Sequence, residues 1–271
     1  GWAHGRGISC RAAKNGLTPV PVWRGSIGPL LTTDETILPA HLALRAELKR
    51  GPLTVLALGP LTNVAAALDG QPELQHNLTR LVAVMGHRPG HIFHPSEGSG
   101  RGGILMGHGP IFRDLNFAMD EVAVRSILNM HLSLTLIPYD AARRVTITPH
   151  DLDRLNGSGP GFAWVAGTAR GWLDYWRVDI GQPGFYPFDW IAAAYVVDSQ
   201  LFDCAVTHAW IADEWAFWLY PRASLLIGPL SPRNAGAKAE VIYCPQVNPS
   251  LHDYLLVDDK KLHQLGTSST D

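Results

Sequence analysis

Cysteine is scarce in this 271-residue chain: Cys10, Cys204 and Cys244 are odd in number and widely spaced. With no CxxC pair they form no disulfide framework, and they read as reduced thiols in a cytoplasmic protein. No apolar run approaches the ~20 residues a bilayer span requires. Formal net charge is −2 and no long run of Lys or Arg occurs, which argues against nucleic acid or an anionic membrane as partner. The first residue is Gly1 rather than Met, so the chain reads as a fragment or processed product and says nothing about a signal peptide.

What is present is a core. Hydrophobic residues make up 46% of the chain, enough to fill one large α/β domain and too many for disorder. With no internal repeat or linker, residues 1–271 read as a single domain. Nine tryptophans are many for this length, and Trp172 and Trp176, at helical i, i+4 spacing, are expected in the core.

The densest signal is LTVLALGPLTNVAAAL, Leu53 to Leu68. Leu53 to Leu58 are nearly all apolar, as in a strand buried on both faces. Gly59 and Pro60 break the run. Thr62 and Asn63 offer side-chain oxygens to free amides, and Val64 to Leu68 continue as helix. At such strand-to-helix turns open α/β sheets bind ligands. An isolated Gly-Pro would be read as an ordinary turn.

Elsewhere, a strand is expected near Val20 to Trp23 and an amphipathic helix over Ala40 to Lys49. LVAVM (Leu81 to Met85) is a second strand ending at Gly86, and Asp120 to Leu128 a helix. Arg88 to Gly109, rich in Gly, His and Pro, reads as a surface loop. Leu132 to Ile137 is a strand. Thr148 caps a short helix, and Phe162 to Trp176 form a longer one. Phe188 and Asp189 open the helix DWIAAAYVV. AVTHAWIA and AEVIYC alternate as strands at a sheet edge.

Five blocks in order, VWRGSIGPL, LALGPLTN, VAVMG, DLNFAMDEVA and PFDWIAAA, resemble the nucleoside hydrolase family (inosine-uridine-preferring N-ribohydrolases). The resemblance runs from about Val22 to about Val197. It implies a mainly parallel, open sheet with flanking helices, and hydrolysis of ribonucleosides to ribose and free base with a calcium ion. It also implies homo-dimers or homo-tetramers. Asp189 falls on a calcium-binding aspartate of the family and Leu58 on a residue whose backbone carbonyl completes the calcium shell. Asp114 and Asn116 fall on a pair that holds the ribose hydroxyls. Alternation along an extended segment would point both at one ligand. Met85 would form an apolar floor beneath the sugar. His108 sits where the family uses Asn against the ribose. Plain alternatives exist: Asp189 as a helix N-cap, Asp114 and Asn116 as a solvated turn, Met85 as core.

Two departures stand out. The family's aspartate-rich turn, DxDxxxDD in pattern, supplies the general base and most calcium carboxylates, and nothing like it occurs here. The chain therefore reads as N-terminally truncated, its first strand missing, with a gap expected at the sheet's centre. Taken alone it should be impaired or inactive. Phe188 stands where many members carry a His acid for the leaving base. His87, His91 and His94 permit a zinc reading, against which Gly and Pro in the segment argue; contact with the nucleobase end, or a plain solvated loop, is the stronger reading. The rival to an enzyme is a non-catalytic member that binds a nucleoside or sugar, or serves assembly only.

Overall fold

The computed structural model describes residues 20–30, 38–89, 114–216, 220–229 and 237–256. Among these, six strands form one sheet in the order β1-β2-β3-β6-β4-β5. The strands are β1 (Leu53–Ala57), β2 (Leu78–Ala83), β3 (Leu134–Leu136), β4 (Phe202–Ala216), β5 (Tyr220–Gly228) and β6 (Lys238–Val247). β1, β2, β3 and β6 run parallel, while β4 is antiparallel to both β6 and β5. The mainly parallel open sheet inferred from the motifs is therefore present. The alternating C-terminal strands divide: β4 and β5 form one edge, but β6 lies inside.

Helices cover both faces. On one side α1 (Pro39–Arg50), α2 (Thr62–Leu68) and α5 (Glu121–Asn129) pack with Leu81, Ala83 and Leu136 of the sheet. The short α3 (Pro72–Gln75) leads into β2, and the equally short α4 (Leu115–Ala118) precedes α5. On the other side lie α6 (Tyr139–Ala142), α7 (Pro149–Gly157), α8 (Pro160–Asp174) and α9 (Phe188–Val197), around Val82, Ile137 and Trp176. Alternate residues of β2 serve the two cores, as the two-residue period of a strand requires. A C-terminal turn, α10 (Leu251–Leu255), closes that layer.

Several expectations need correction. Among the described residues β1 is an edge strand, and its Leu53, Val55 and Leu56 are half-buried rather than enclosed. Among the described residues the sheet runs unbroken from β1 to β5. Among these residues no gap opens at its centre, and β1 stands at one end of the strand order. Val20 to Trp23 forms no strand, and Pro21 has no N–H to give a ladder. The helix tail expected over Gly1 to Asn15 lies outside the described residues.

Cys204 and Cys244 are joined as a disulfide, not held as reduced thiols. β4 pairs antiparallel with β6, so residues 40 apart in sequence meet side by side. Cysteine spacing alone could not reveal that pairing. Alkylation in denaturant should label one cysteine without reductant and three with it; three in both cases would contradict the bond.

Thr62 and Asn63 do not cap α2. The Thr62 hydroxyl donates to Asp120 Oδ2, which also accepts from Leu30 N at 2.7 Å. Asn63 Oδ1 accepts from Ser26 N at 2.9 Å and meets His41 Nε2 at 3.2 Å. The GPLTN turn is therefore a clamp on the segment 26–30. His41 is buried, its Nδ1 accepts from Leu38 N at 3.3 Å, and burial pushes its pKa below the ordinary value. A folded state that binds fewer protons loses stability as pH falls. Stability supplied by neutral His41 should be complete above roughly pH 6.5 and decline below it. Urea midpoints measured from pH 7.5 down to 5.5 should fall, and His41→Gln should flatten that decline; an equal slope in the variant would refute the assignment.

Candidate active site

β1 and β2 end together, at Ala57 and Ala83, and the chain leaves each through a turn that contains glycine. After β2 comes Val84–Met85–Gly86, with Gly86 at φ +87°. A Cβ on Gly86 would stand 2.5 Å from Ile227 Cδ1 of β5, so the position demands glycine for both conformation and space. The next residue joins the far edge of the sheet: His87 N donates to Leu225 O at 3.1 Å and Ile227 N donates to His87 O at 2.9 Å. The β4–β5 hairpin thus folds back onto the end of β2.

Asp114 fastens this junction. Its Oδ2 accepts from Gly86 N at 2.6 Å and its Oδ1 from Phe117 N at 3.1 Å. The second bond caps α4, so the segment is a helical turn rather than the extended stretch that alternation suggested. The Asn116 side chain donates to Val84 O at 2.8 Å. Asp114 and Asn116 thus grip the same three-residue exit from β2, one at its amide and one at its carbonyl. Burial pushes the Asp114 carboxyl above the usual carboxylate range, and the two amide donors pull against that rise.

A cavity of about 530 Å³ opens over these groups, within the roughly 300–1,000 Å³ range of small-molecule clefts. One wall is Leu58, Val84, Met85, Asp114 and Asn116. The facing wall comes from α8, through Trp164, Thr168 and Trp172, from Tyr186 just before α9, and from the first turn of α9, through Phe188 and Asp189. Met85 is 3% exposed and serves both the core and the cavity floor. Leu58, just beyond β1, is 41% exposed, as suits a residue whose side chain has no core role.

Asp189 sits in the first turn of α9, whose N-cap is Pro187. The capping alternative is therefore excluded, and the helix dipole favours an anion there. It remains open to solvent, and desolvation by its surroundings pushes its carboxyl above the usual range.

The aromatic wall was missed by sequence reasoning. Trp172, expected in the core, is 44% exposed and lines the cavity, while Trp176 is 1% exposed. Trp176 lies in a π-helical turn, Tyr175–Asp179, that continues α8, and such turns recur at functional sites. The ring centroids of Trp176 and Tyr186 are 4.7 Å apart, and those of Trp172 and Trp176 6.0 Å. The i, i+4, i+8 spacing of Trp164, Thr168 and Trp172 marks one helix face, and that was the available signal.

His87 packs against the β4–β5 hairpin. It is buried, with Nε2 2.8 Å from Glu214 Oε2 on β4. His91, His94 and His108 lie outside the described residues, as does nearly all of the Arg88 to Gly109 loop. Among the described residues no group of three or more His, Cys, Asp or Glu is arranged to hold a metal ion. Asp189 and the Leu58 carbonyl are two donors, whereas calcium takes six to eight oxygens. The residues described here do not fit a calcium shell.

A cleft at the C-terminal ends of parallel strands, with acid and amide groups below and aromatic rings above, defines a small-molecule site of an open α/β protein. The chain belongs to the inosine-uridine preferring nucleoside hydrolase family, whose sequence model matches residues 10–229. It is 27% identical over 166 residues to the non-specific ribonucleoside hydrolase RihC of Salmonella schwarzengrund (strain CVM19633), covering 60% of this chain and 48% of that protein. With RihC of Shigella sonnei (strain Ss046) it shares 28% over 170 residues, 61% of this chain and 48% of the relative. The chain thus spans about half the length of the curated relatives it matches.

Solved structures share the fold. An inosine-guanosine nucleoside hydrolase superposes with a TM-score of 0.66 at 17% identity, covering 93% of this chain and 84% of that one. A purine-preferring ribonucleoside hydrolase from Gardnerella vaginalis gives 0.64 at 15%, covering 93% and 83%. A plant nucleoside hydrolase gives 0.62 at 18%, covering 86% and 70%.

Asp114→Ala should leave two buried amides unpaired and destabilise the fold by roughly 2–4 kcal/mol. Gly86→Ala should also be costly, whereas Gly59→Ala, where an added Cβ meets nothing, should be mild. Chemical denaturation of the three variants checks this order; a neutral Asp114→Ala would refute the clamp.

Proposed function

We propose that this cleft binds a ribonucleoside and that its function is hydrolysis of the N-glycosidic bond, giving ribose and free base. One observation carries the reading: Leu58, Met85, Asp114, Asn116 and Asp189, scattered over about half the chain, line a single cavity. The matched family and the names of its relatives point to the same chemistry.

Within the proposal the sugar lies over Met85, near Asn116 and Asp189. Asp114 acts at one remove, because both its oxygens already accept amides. It fixes the β2 exit against which the sugar rests. Among the described lining residues Asp189 is the one carboxylate not already committed to backbone amides. Leaving-group assistance does not come from Phe188, which has no proton to give. The facing rings instead exclude water from the base side, and burial keeps the Tyr186 hydroxyl protonated.

Calcium enters only as a weak ligand. With Asp189 and the Leu58 carbonyl as donors, affinity in the millimolar range is expected, as for poorly liganded sites. Dimer or tetramer formation is proposed on the resemblance, and light scattering tests it. The cytoplasmic location rested on reduced thiols and loses that support once Cys204 and Cys244 are joined. Among the described residues no helix is long and apolar enough to cross a membrane.

General-base assistance typically contributes 10²–10⁴-fold, and the described cavity holds no carboxylate set to provide it in full. Ribose release from inosine, uridine or adenosine should therefore be slower by roughly that factor than in a hydrolase with its base in place, and Asp189→Ala should remove what remains. Turnover that is fast and unchanged in Asp189→Ala would overturn the site. Calorimetry should give millimolar calcium binding that Asp189→Ala weakens; a micromolar constant indifferent to that change would place the ion elsewhere.

A further inference from the structure

Asp140 is a buried carboxylate that the proposed chemistry leaves unused. It lies just beyond β3, in the one-turn helix α6. Its Oδ2 accepts from the Tyr243 hydroxyl at 2.8 Å, and its Oδ1 accepts from Arg88 Nη2 at 3.2 Å. Arg143 Nη2 stands 3.9 Å from the same Oδ1. Arg88 follows the exit from β2 and Tyr243 belongs to β6, so one side chain ties together the chain at three neighbouring strands. A carboxylate buried this deeply is tolerated only where charged or hydrogen-bonding partners meet it, and here both oxygens are met.

Tyr243 is a fixed donor. It pairs with Leu136 on one side and with Ala205 on the other. The β4–β6 ladder slips between Asp203 and Ala205, beside Pro245, which has no N–H to give it. At that slip the next residue, Cys244, is bonded to Cys204 of β4. Burial and the Asp140 charge push the Tyr243 hydroxyl above its ordinary pKa, so it stays a proton donor.

The network reaches the cleft through Tyr139, which lines it. A helix of four residues, as α6 is, does not fix its own geometry and takes it from tertiary partners. Arg143, drawn toward Asp140, stands 6.0 Å from the centroid of the Tyr139 ring, at cation–π range. That ring stacks on Phe188 with centroids 6.2 Å apart and meets Tyr186 edge-on at 6.0 Å. Phe188 and Asp189 form the first turn of α9. One chain of contacts therefore runs from Asp140 to the residue beside Asp189.

We infer that Asp140 is a positioning residue: held by Tyr243 and Arg88, it fixes the first turn of α9 through Tyr139, and with it the place of the Asp189 carboxylate in the cleft. The effect on ligand binding rests on the nucleoside reading of the site, whereas the effect on α9 does not.

Hydrogen exchange on the full chain tests the second effect without any nucleoside. The Ile191 amide donates to Pro187 O at 3.0 Å in α9, and the Ala65 amide to Leu61 O at 2.9 Å in α2, on the opposite face of the sheet. Tyr243→Phe should speed exchange at Ile191 at least about fivefold and at Ala65 less than about twofold. Asp140→Asn, which keeps an acceptor for the Tyr243 hydroxyl, should have a smaller effect at Ile191 than Tyr243→Phe. Equal acceleration at the two amides, or none at Ile191, would overturn the inference whether or not a nucleoside binds.

Calorimetry with inosine tests the first effect. Tyr243→Phe should weaken binding about fivefold in the otherwise unaltered protein and less than about twofold in Asp189→Asn, because a residue that acts through another does not add to its loss. Equal losses in the two backgrounds would overturn the link to Asp189. Failure of the unaltered protein to bind inosine would overturn the nucleoside reading, and the exchange rates would still decide the role of Asp140.

Discussion

The Asp114 carboxylate is the contact on which the rest of the site depends. Through one oxygen it holds the Gly86 amide and through the other it starts α4. Gly86 in turn allows β5 to approach, because its missing side chain leaves room for Ile227. A buried carboxylate without partners would be intolerable. Here it is matched to two backbone donors, and that match fixes three elements at once: the end of β2, the turn bearing Asn116, and the returning hairpin. The cavity floor inherits its shape from this junction.

The upper wall has a different origin. α8 runs into a π-helical turn, and its rings interlock with those that lead into α9. Asp189 emerges where this aromatic layer meets the strand ends. The two walls therefore differ in chemistry because they differ in construction. One is backbone polarity held by a carboxylate and an amide; the other is side-chain area held by packing. A ligand with a hydroxyl-rich end and a flat apolar end fits that division.

Much of this was legible in the sequence. The strand at Leu53, the turn at Gly59–Pro60, the Thr148 cap and the helix opened by Phe188 all follow from local patterns, because each depends on neighbours in the chain. The convergence of Leu58, Asp114, Asn116 and Asp189 was legible only through ordered motifs. What escaped depended on distant partners. Asn63 looked like a helix cap but clamps Ser26 from 37 residues away. Cys204 and Cys244 looked unpaired until β4 met β6. Trp172 looked like core because i, i+4 spacing cannot say whether a helix face meets protein or ligand. His87 belonged to a histidine-rich run yet spends its ring on Glu214. β1 read as a buried strand because its composition is that of an interior one, and its edge position is a property of the sheet rather than of the segment.

A crystal structure of the chain soaked with inosine tests the central claim most directly. The account predicts the ribose over Met85 within hydrogen-bonding reach of Asn116 and Asp189, and the base against Trp172 and Tyr186. Inosine bound outside this cavity, or bound in it with the ribose against the α8 rings and the base at Asp189, would contradict the account.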